Sequence, residues 1–144
     1  MRICIVAVGK IKERGLREWI DEYLGRVRRH VGCDEIELRE GRNVAEAMRA
    51  AIPAGSHVVA LEIGGRELDS VGFARQLERW GATGKGAVTF LIGGADGLPP
   101  EVSKGAQERM SLSRMTLAHR VARVVLVEQI YRATTIWRHE PYHR

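Results

Sequence analysis

An α/β fold is predicted for this chain, a Rossmann-like parallel sheet with helices on both faces, and three observations predict it. Short apolar runs alternate with amphipathic stretches from one end to the other. Three of those runs, "RICIVAVG", "HVVALEI" and "AVTFLI", are apolar almost throughout, as strands covered on both faces are. Each ends on glycine, at Gly9, Gly64-Gly65 and Gly93-Gly94, and in such sheets ligands bind outside the carboxyl ends of the strands.

The elements follow in order. "RICIVAVG" carries one arginine and no small-residue cleavage site, so it reads as a first strand and not as a signal peptide. "LREWIDEYLGRVRRHV" sets Leu16, Trp19, Ile20, Tyr23, Leu24 and Val27 on one helical face. "DEIELRE" alternates like an exposed strand, and "NVAEAMRAAI" is a short helix with Asn43 at its N-cap. "HVVALEI" is expected to stop at Gly64-Gly65. "SVGFARQLERW" is a helix capped by Asp69 or Ser70 and halted near Gly81. "GATGKGAV" has Gly86 where a phosphate loop needs Ser or Thr, and it precedes a strand instead of following one, so it is a turn. "AVTFLI" then runs into "GGADGLPP". There Gly93-Gly94-x-x-Gly97 before a helix lets a ligand approach the backbone closely, although a tight structural turn has the same signature.

The segment "LAHRVARVVLVEQIYRATTIW" is unusual. As a helix it distributes Val121, Val124, Val125, Leu126, Val127, Ile130, Tyr131 and Ile136 around most of its circumference. Such a helix is buried on most sides, which implies a second subunit against one of them. A buried strand at the β-branched run "RVVLV" is the lesser alternative. Glu128 and Arg132 stand at i,i+4 in the favourable order for a helical ion pair.

Length and composition narrow the function. One domain spanning 1–144 is expected, with no linker or internal repeat, and no apolar run reaches the ~18 residues of a membrane span. Cys4 and Cys33 form no CxxC and have no ligand-spaced partner, so both are read as reduced thiols of a cytoplasmic protein, and no metal is indicated. No GxGxxG follows the first strand, and GxSxG and HExxH are absent. His30, His57 and His119 have no partners assignable from sequence, and His57, opening a strand, is read as structural. The net charge is +5, and residues 109–144 alone hold seven Lys or Arg against two acids. Lys10, Lys12, Arg14, Arg17, Arg26, Arg28 and Arg29 form a second basic cluster, and the two together point to an anionic partner, with nucleic acid first.

Five pieces of the chain then fall into one pattern: "VAVGK" at the start, "LEIGG" at 61–65, "FLIGGADG" at 90–97, "SLSRMTLAHRVARVVLVEQIYRA", and the terminal "EPYHR". In that order they resemble the RlmH family, SPOUT-class methyltransferases acting on N3 of a pseudouridine in 23S ribosomal RNA. The resemblance covers essentially the whole chain. It departs at Arg138-His139, where many members have a glycine-containing turn. It implies a C-terminal trefoil knot formed by the stretches after Leu61, around Gly94 and through Ser113–Ala118. It further implies that Leu61, Gly94, Ser113, Arg114, Met115, Thr116, Leu117 and Ala118 hold S-adenosylmethionine. Residue chemistry suits this: Leu61, Met115 and Leu117 can wall an adenine, and Gly94 permits close approach.

The implied reaction requires the N3 proton to leave. His143 is the first candidate to take it, with Tyr142 stacking on or orienting the uracil and Arg144, Arg132 and Arg123 holding phosphates or stabilising charge on its oxygens. Alternatively, arginine electrostatics lower the N3 pKa and water takes the proton. The implied assembly is a homodimer whose tails lie near the partner's cofactor, acting on 23S rRNA or the assembled ribosome. A SPOUT enzyme acting on tRNA and a non-catalytic RNA-binding protein of the same fold are the alternatives.

Overall fold

The computed structural model describes residues 1–144. The chain runs β1 (Arg2–Val8), α1 (Arg14–Arg28), β2 (Gly32–Leu38), α2 (Val44–Ala51), β3 (His57–Glu67), α3 (Ser70–Thr83), β4 (Ala87–Ile92), α4 (Pro100–Lys104), β5 (Glu108–Ser111) and α5 (His119–Trp137). Every strand pair is parallel, in the order β2-β1-β4-β3-β5.

Strand alternation divides the core into two layers. Ile3, Ile5 and Ala7 of β1, with Val88 and Phe90 of β4, pack against Ile20, Leu24 and Val27 of α1, Phe73, Leu77 and Trp80 of α3, and Leu126, Val127 and Ile130 of α5. Cys4, Val6, Val8 and Leu91 face the other way, onto Ala45 and Met48 of α2 and Val102 of α4. Both faces of the central strands are therefore covered, which is why their sequences are continuous apolar runs. Thr89 is the polar exception, and its hydroxyl meets that of Ser56 at 2.9 Å. Cys33 is buried and its thiol is pushed up to about 12 by desolvation, so it stays protonated and inert. Burial raises Cys4 as well.

The helical reading of the C-terminal segment holds, and "RVVLV" lies within that helix: its buried positions Arg123, Leu126, Val127 and Ile130 recur at helical spacing, facing α1 and α3. Several details differ from the sequence expectation. Val127 belongs wholly to the chain's own core, whereas Val121 is 43% exposed and Val124 and Val125 are half-buried. The open side of α5 is thus carried by 121, 124 and 125. β3 does not stop at the glycines; it bulges over residues 62–65 and re-pairs with β5 through Arg66 and Glu67. Gly65 lies so close to β5 that a Cβ there would come within 2.6 Å of the Met110 backbone. α3 continues past Gly81 to Thr83, because Gly81 is covered by the Met1 side chain and not by a turn. Asp69 caps α3 by accepting from the Gly72 N–H at 2.7 Å, but Asn43 makes no such bond for α2. β5, "ERMS", is too short and polar to have been anticipated.

Arg123 is fully buried within this scaffold. Its guanidinium donates to Glu35 at 3.1 Å, to Glu37, and to the Gly9 carbonyl at 2.7 Å. Arg17 of α1 pairs with the same two carboxylates, and the Ile11 N–H donates to Glu37 at 2.9 Å. Arg123 therefore has no face left for a phosphate, which corrects the sequence expectation for it. Partial burial pushes the Glu37 carboxyl up, but the Ile11 N–H and the two guanidiniums outweigh it and hold it below the usual carboxylate range.

Removing one member of a buried ion cluster leaves the others uncompensated, so Arg123→Ala is expected to cost about 3–5 kcal/mol in urea unfolding, with Arg14→Ala close to wild type. The lowered Glu37 carboxyl contributes stability above the ordinary carboxylate pKa of about 4, and this is lost as pH falls through its lower folded value. Glu37→Gln is accordingly expected to flatten the acid limb of stability against pH.

Candidate functional site

The carboxyl ends of β3, β4 and β5 surround a cavity of about 400 Å³. Three stretches build it: Leu61–Ile63 from the β3 bulge, Ile92–Ala95 with Gly97 after β4, and Ser111–His119 leading into α5. The connection after β4 leads to α4 on one face of the sheet, whereas that after β3 leads to α3 on the other. The cavity occupies this divergence, where α/β sheets hold ligands. The bulge in β3 swings Glu62 and Ile63 out of the ladder to form one wall.

Glycines shape the floor. A Cβ on Gly93 would come within 2.3 Å of the Gly97 carbonyl carbon, so the turn after β4 closes only on glycine. Gly94 has more latitude: its nearest neighbour would be the Glu40 carboxylate at 2.4 Å, the end of a flexible exposed side chain. The Ser111 hydroxyl donates to the Ser113 carbonyl at 2.8 Å and the Met115 N–H to Ser113 Oγ at 2.9 Å, fixing the turn before α5.

Of the eight residues expected to hold a cofactor, Leu61, Gly94, Ser113, Met115, Thr116, Leu117 and Ala118 line this cavity. Arg114 does not. Its side chain is 87% exposed and turns to Glu67, which it meets at 2.9 Å, because its neighbours in the turn take the inward positions. Among the lining residues the sequence reading missed are Glu62, Ile63, Leu112 and His119. His119 directly continues the run 113–118, and its Nδ1 is buried without a partner. Leu61, Ile63, Leu112, Met115 and Leu117 supply apolar walls, and Glu62 is the acidic side chain of the lining.

The four expected catalytic residues are assembled elsewhere. After α5 the chain reverses through His139, which adopts a left-handed φ of 55°, and Glu140 N–H caps the Thr135 carbonyl at 2.9 Å. Residues 141–144 then return along α5. The Tyr142 hydroxyl donates to Glu128 at 2.8 Å and lies 3.2 Å from that of Tyr23. Its ring meets Tyr131 edge-on at 4.8 Å, under the Arg132 guanidinium. Burial, the Tyr23 hydroxyl and the Glu128 carboxylate push the phenol well up, so at neutral pH it is a donor and not a base. Arg132 pairs with Glu128 at 2.9 Å, the i,i+4 contact expected, and its Nη1 reaches His143 Nδ1 at 3.1 Å. A guanidinium only donates, so Nδ1 accepts and the imidazole proton sits on Nε2. Arg144 is exposed. Tyr23 was not expected here; its place on the inner face of α1 was legible, its role in the tail was not.

Cavity and tail lie far apart in one chain. Glu128 and Arg132 follow Ala122, the last cavity-lining residue on α5, by six and ten residues of unbroken helix, about 9 and 15 Å of rise.

Comparison with known proteins bears on this geometry. Residues 1–143 match a family described as "Predicted SPOUT methyltransferase". A protein of Sorangium cellulosum named ribosomal RNA large subunit methyltransferase H is 54% identical over 143 residues, 99% of each chain. Among solved structures, a probable methylase family protein from Haemophilus influenzae superposes with a TM-score of 0.60 at 11% identity, over 99% of this chain and 70% of that one. The SpoU methyltransferase AviRb of Streptomyces viridochromogenes, solved with AdoMet, gives 0.50 at 14% identity, over 92% of this chain and 58% of that one.

The glycine geometry separates two neighbouring substitutions. Gly93→Ala forces backbone apart and is expected to cost about 1–3 kcal/mol, several degrees in thermal midpoint. Gly94→Ala must displace the Glu40 side chain and shift the Val8 methyl, at 3.2 Å, by a few tenths of an ångström, with no backbone in the way, and should melt closer to wild type than Gly93→Ala.

Proposed function

The chain belongs to the SPOUT methyltransferase family, and from that premise we propose that it transfers a methyl group from S-adenosylmethionine to N3 of a pseudouridine in 23S ribosomal RNA, on the assembled ribosome. The observation that carries this is the cavity at the carboxyl ends of β3, β4 and β5, lined by seven of the eight positions that the resemblance assigns to the cofactor. The residues present fit that group. Apolar walls suit an adenine, the glycine floor brings backbone close, and Glu62 suits the hydroxyl or ammonium donors of its polar end. When bound, S-adenosylmethionine supplies an electrophilic methyl on a sulfonium. The rRNA substrate is supported by the names of the full-length relatives. The trefoil knot belongs to the same proposal, with residues 112–118 passing between the loops after β3 and β4 on their way from the sheet edge to α5.

The tail supplies polarity. Uracil N3 becomes a nucleophile once its proton leaves, and the negative charge then spreads onto the two flanking carbonyl oxygens. His143 presents Nε2–H while Arg132 holds its Nδ1, an arrangement that donates to such an oxygen. This favours the second of the two routes raised by the sequence: His143, Arg132 and Arg144 stabilise the anion, and water accepts the proton. Glu128 and Tyr142 hold Arg132 in place.

Because the tail lies far down α5 from its own chain's cavity, the proposed unit is a homodimer in which each tail faces the partner's cavity. Val121, Val124 and Val125 on α5, together with exposed Ile63 and Met115 at the cavity mouth, offer an apolar stripe for that contact.

Three measurements test this. Labelled methyl transfer to purified ribosomes, subunits and naked RNA, followed by nucleoside mass spectrometry, is expected to give an N3-methylated pseudouridine; modification of tRNA alone would reject the substrate. His143→Ala should lower kcat about 10²-fold, whereas His143→Gln, which keeps an N–H donor, should stay within about tenfold; equal losses would restore His143 as the base. Val121→Asp should sediment as a monomer without methyl transfer while still giving a calorimetric heat with S-adenosylmethionine.

A further inference from the structure

We infer that the loops after β1 and β2 form a phosphate-binding ledge beside the cavity, on which Lys10, Lys12, Arg39 and Arg42 hold the RNA backbone flanking the target base. This rests on the RNA reading above and says where the RNA is gripped. The four cations are exposed, and none has a carboxylate within ion-pair distance. Many other basic side chains are already neutralised: Arg2, Arg14, Arg17, Arg26, Arg66, Arg114, Arg120 and Arg138 each face an acid.

The placement is fixed by the fold. The Gly9 N–H donates to the Leu38 carbonyl at 2.7 Å, so the two loops leave the sheet side by side. One touches the cavity wall at Gly9, where an added Cβ would come within 3.2 Å of the His119 ring. The other reaches the cavity floor through Glu40, against Gly94. Nearby acids are largely spent: Glu37 lies in the Arg123 cluster and Glu13 pairs with Arg120, leaving Glu40 against the floor. Cations standing free beside a cavity hold phosphates without reading sequence, and they position a substrate whose identity is read elsewhere.

The chain contains its own control. Arg29, Arg49, Lys85 and Lys104 also lack ion pairs, but they sit at the C-terminal ends of α1, α2 and α4 or just before β4, at the opposite edge of the sheet. Filter binding of large-subunit ribosomal RNA, measured from about 50 to 200 mM KCl, would compare the wild type with two variants that lose the same four charges. K10Q/K12Q/R39Q/R42Q is expected to bind at least about tenfold more weakly at low salt, with a salt slope shallower by about 3. R29Q/R49Q/K85Q/K104Q should lose far less, and both should keep the heat of S-adenosylmethionine binding. Equal losses in the two variants would mean that only net charge matters, and would overturn the ledge. So would a ledge variant that sediments as a monomer where the wild type is dimeric, because that face would then belong to a second copy. Failure of the wild type to bind RNA at all would sink the substrate reading along with it.

Discussion

The guanidinium of Arg123 is where the separate parts of this molecule are tied together. It is a full charge with no exposure, and it survives burial because Glu35, Glu37 and the Gly9 carbonyl take up its two terminal nitrogens, although its Nε has no partner. Through those contacts it fixes α5 against β2 and against the chain leaving β1, while Arg17 brings α1 to the same carboxylates. α5 in turn carries His119 and Ala122 in the cavity wall at one end and the tail cluster at the other. Loosening that ion cluster would move the wall, the tail and the basic loops together.

The carboxyl edge of the sheet gathers the chemistry for a related reason. Every strand is parallel, so all five connections that leave carboxyl ends emerge on one side. There the β3 bulge, the glycine turn after β4 and the Ser111–Ala118 segment enclose apolar walls, and the loops after β1 and β2 add unpaired cations next to them. A cavity and a rim of unpaired cations are thus consequences of one topology, with glycine at 65 and 93 because backbone from a neighbouring segment occupies the space of a Cβ.

The tail obeys a different constraint. Its reversal at His139 packs Tyr142 against Tyr131, Tyr23 and Glu128, so the last residues are anchored and not loose. That anchoring gives Arg132 and His143 a fixed donor geometry. It also holds them along a rigid helix away from the chain's own cavity, which is the observation behind the proposed pair of chains.

The α/β architecture was legible in the sequence because it rests on periodicity. Continuous apolar strands such as "AVTFLI" and the one-sided pattern of α1 depend only on which faces are covered. Seven positions that line the cavity were picked out through the resemblance, since motif order is read without a structure. What the sequence left open depended on contacts between distant segments. Arg123 looks like a surface cation until two carboxylates from β2 are seen to enclose it. Gly64-Gly65 reads as a strand end until β5 re-pairs beyond it, and Val127 and Val121 look alike until packing buries one and leaves the other open. Local pattern records the environment a residue needs; its partner is set by how the whole chain closes on itself, so the buried ion cluster, the bulge and the separation of tail from cavity were decided by tertiary structure alone.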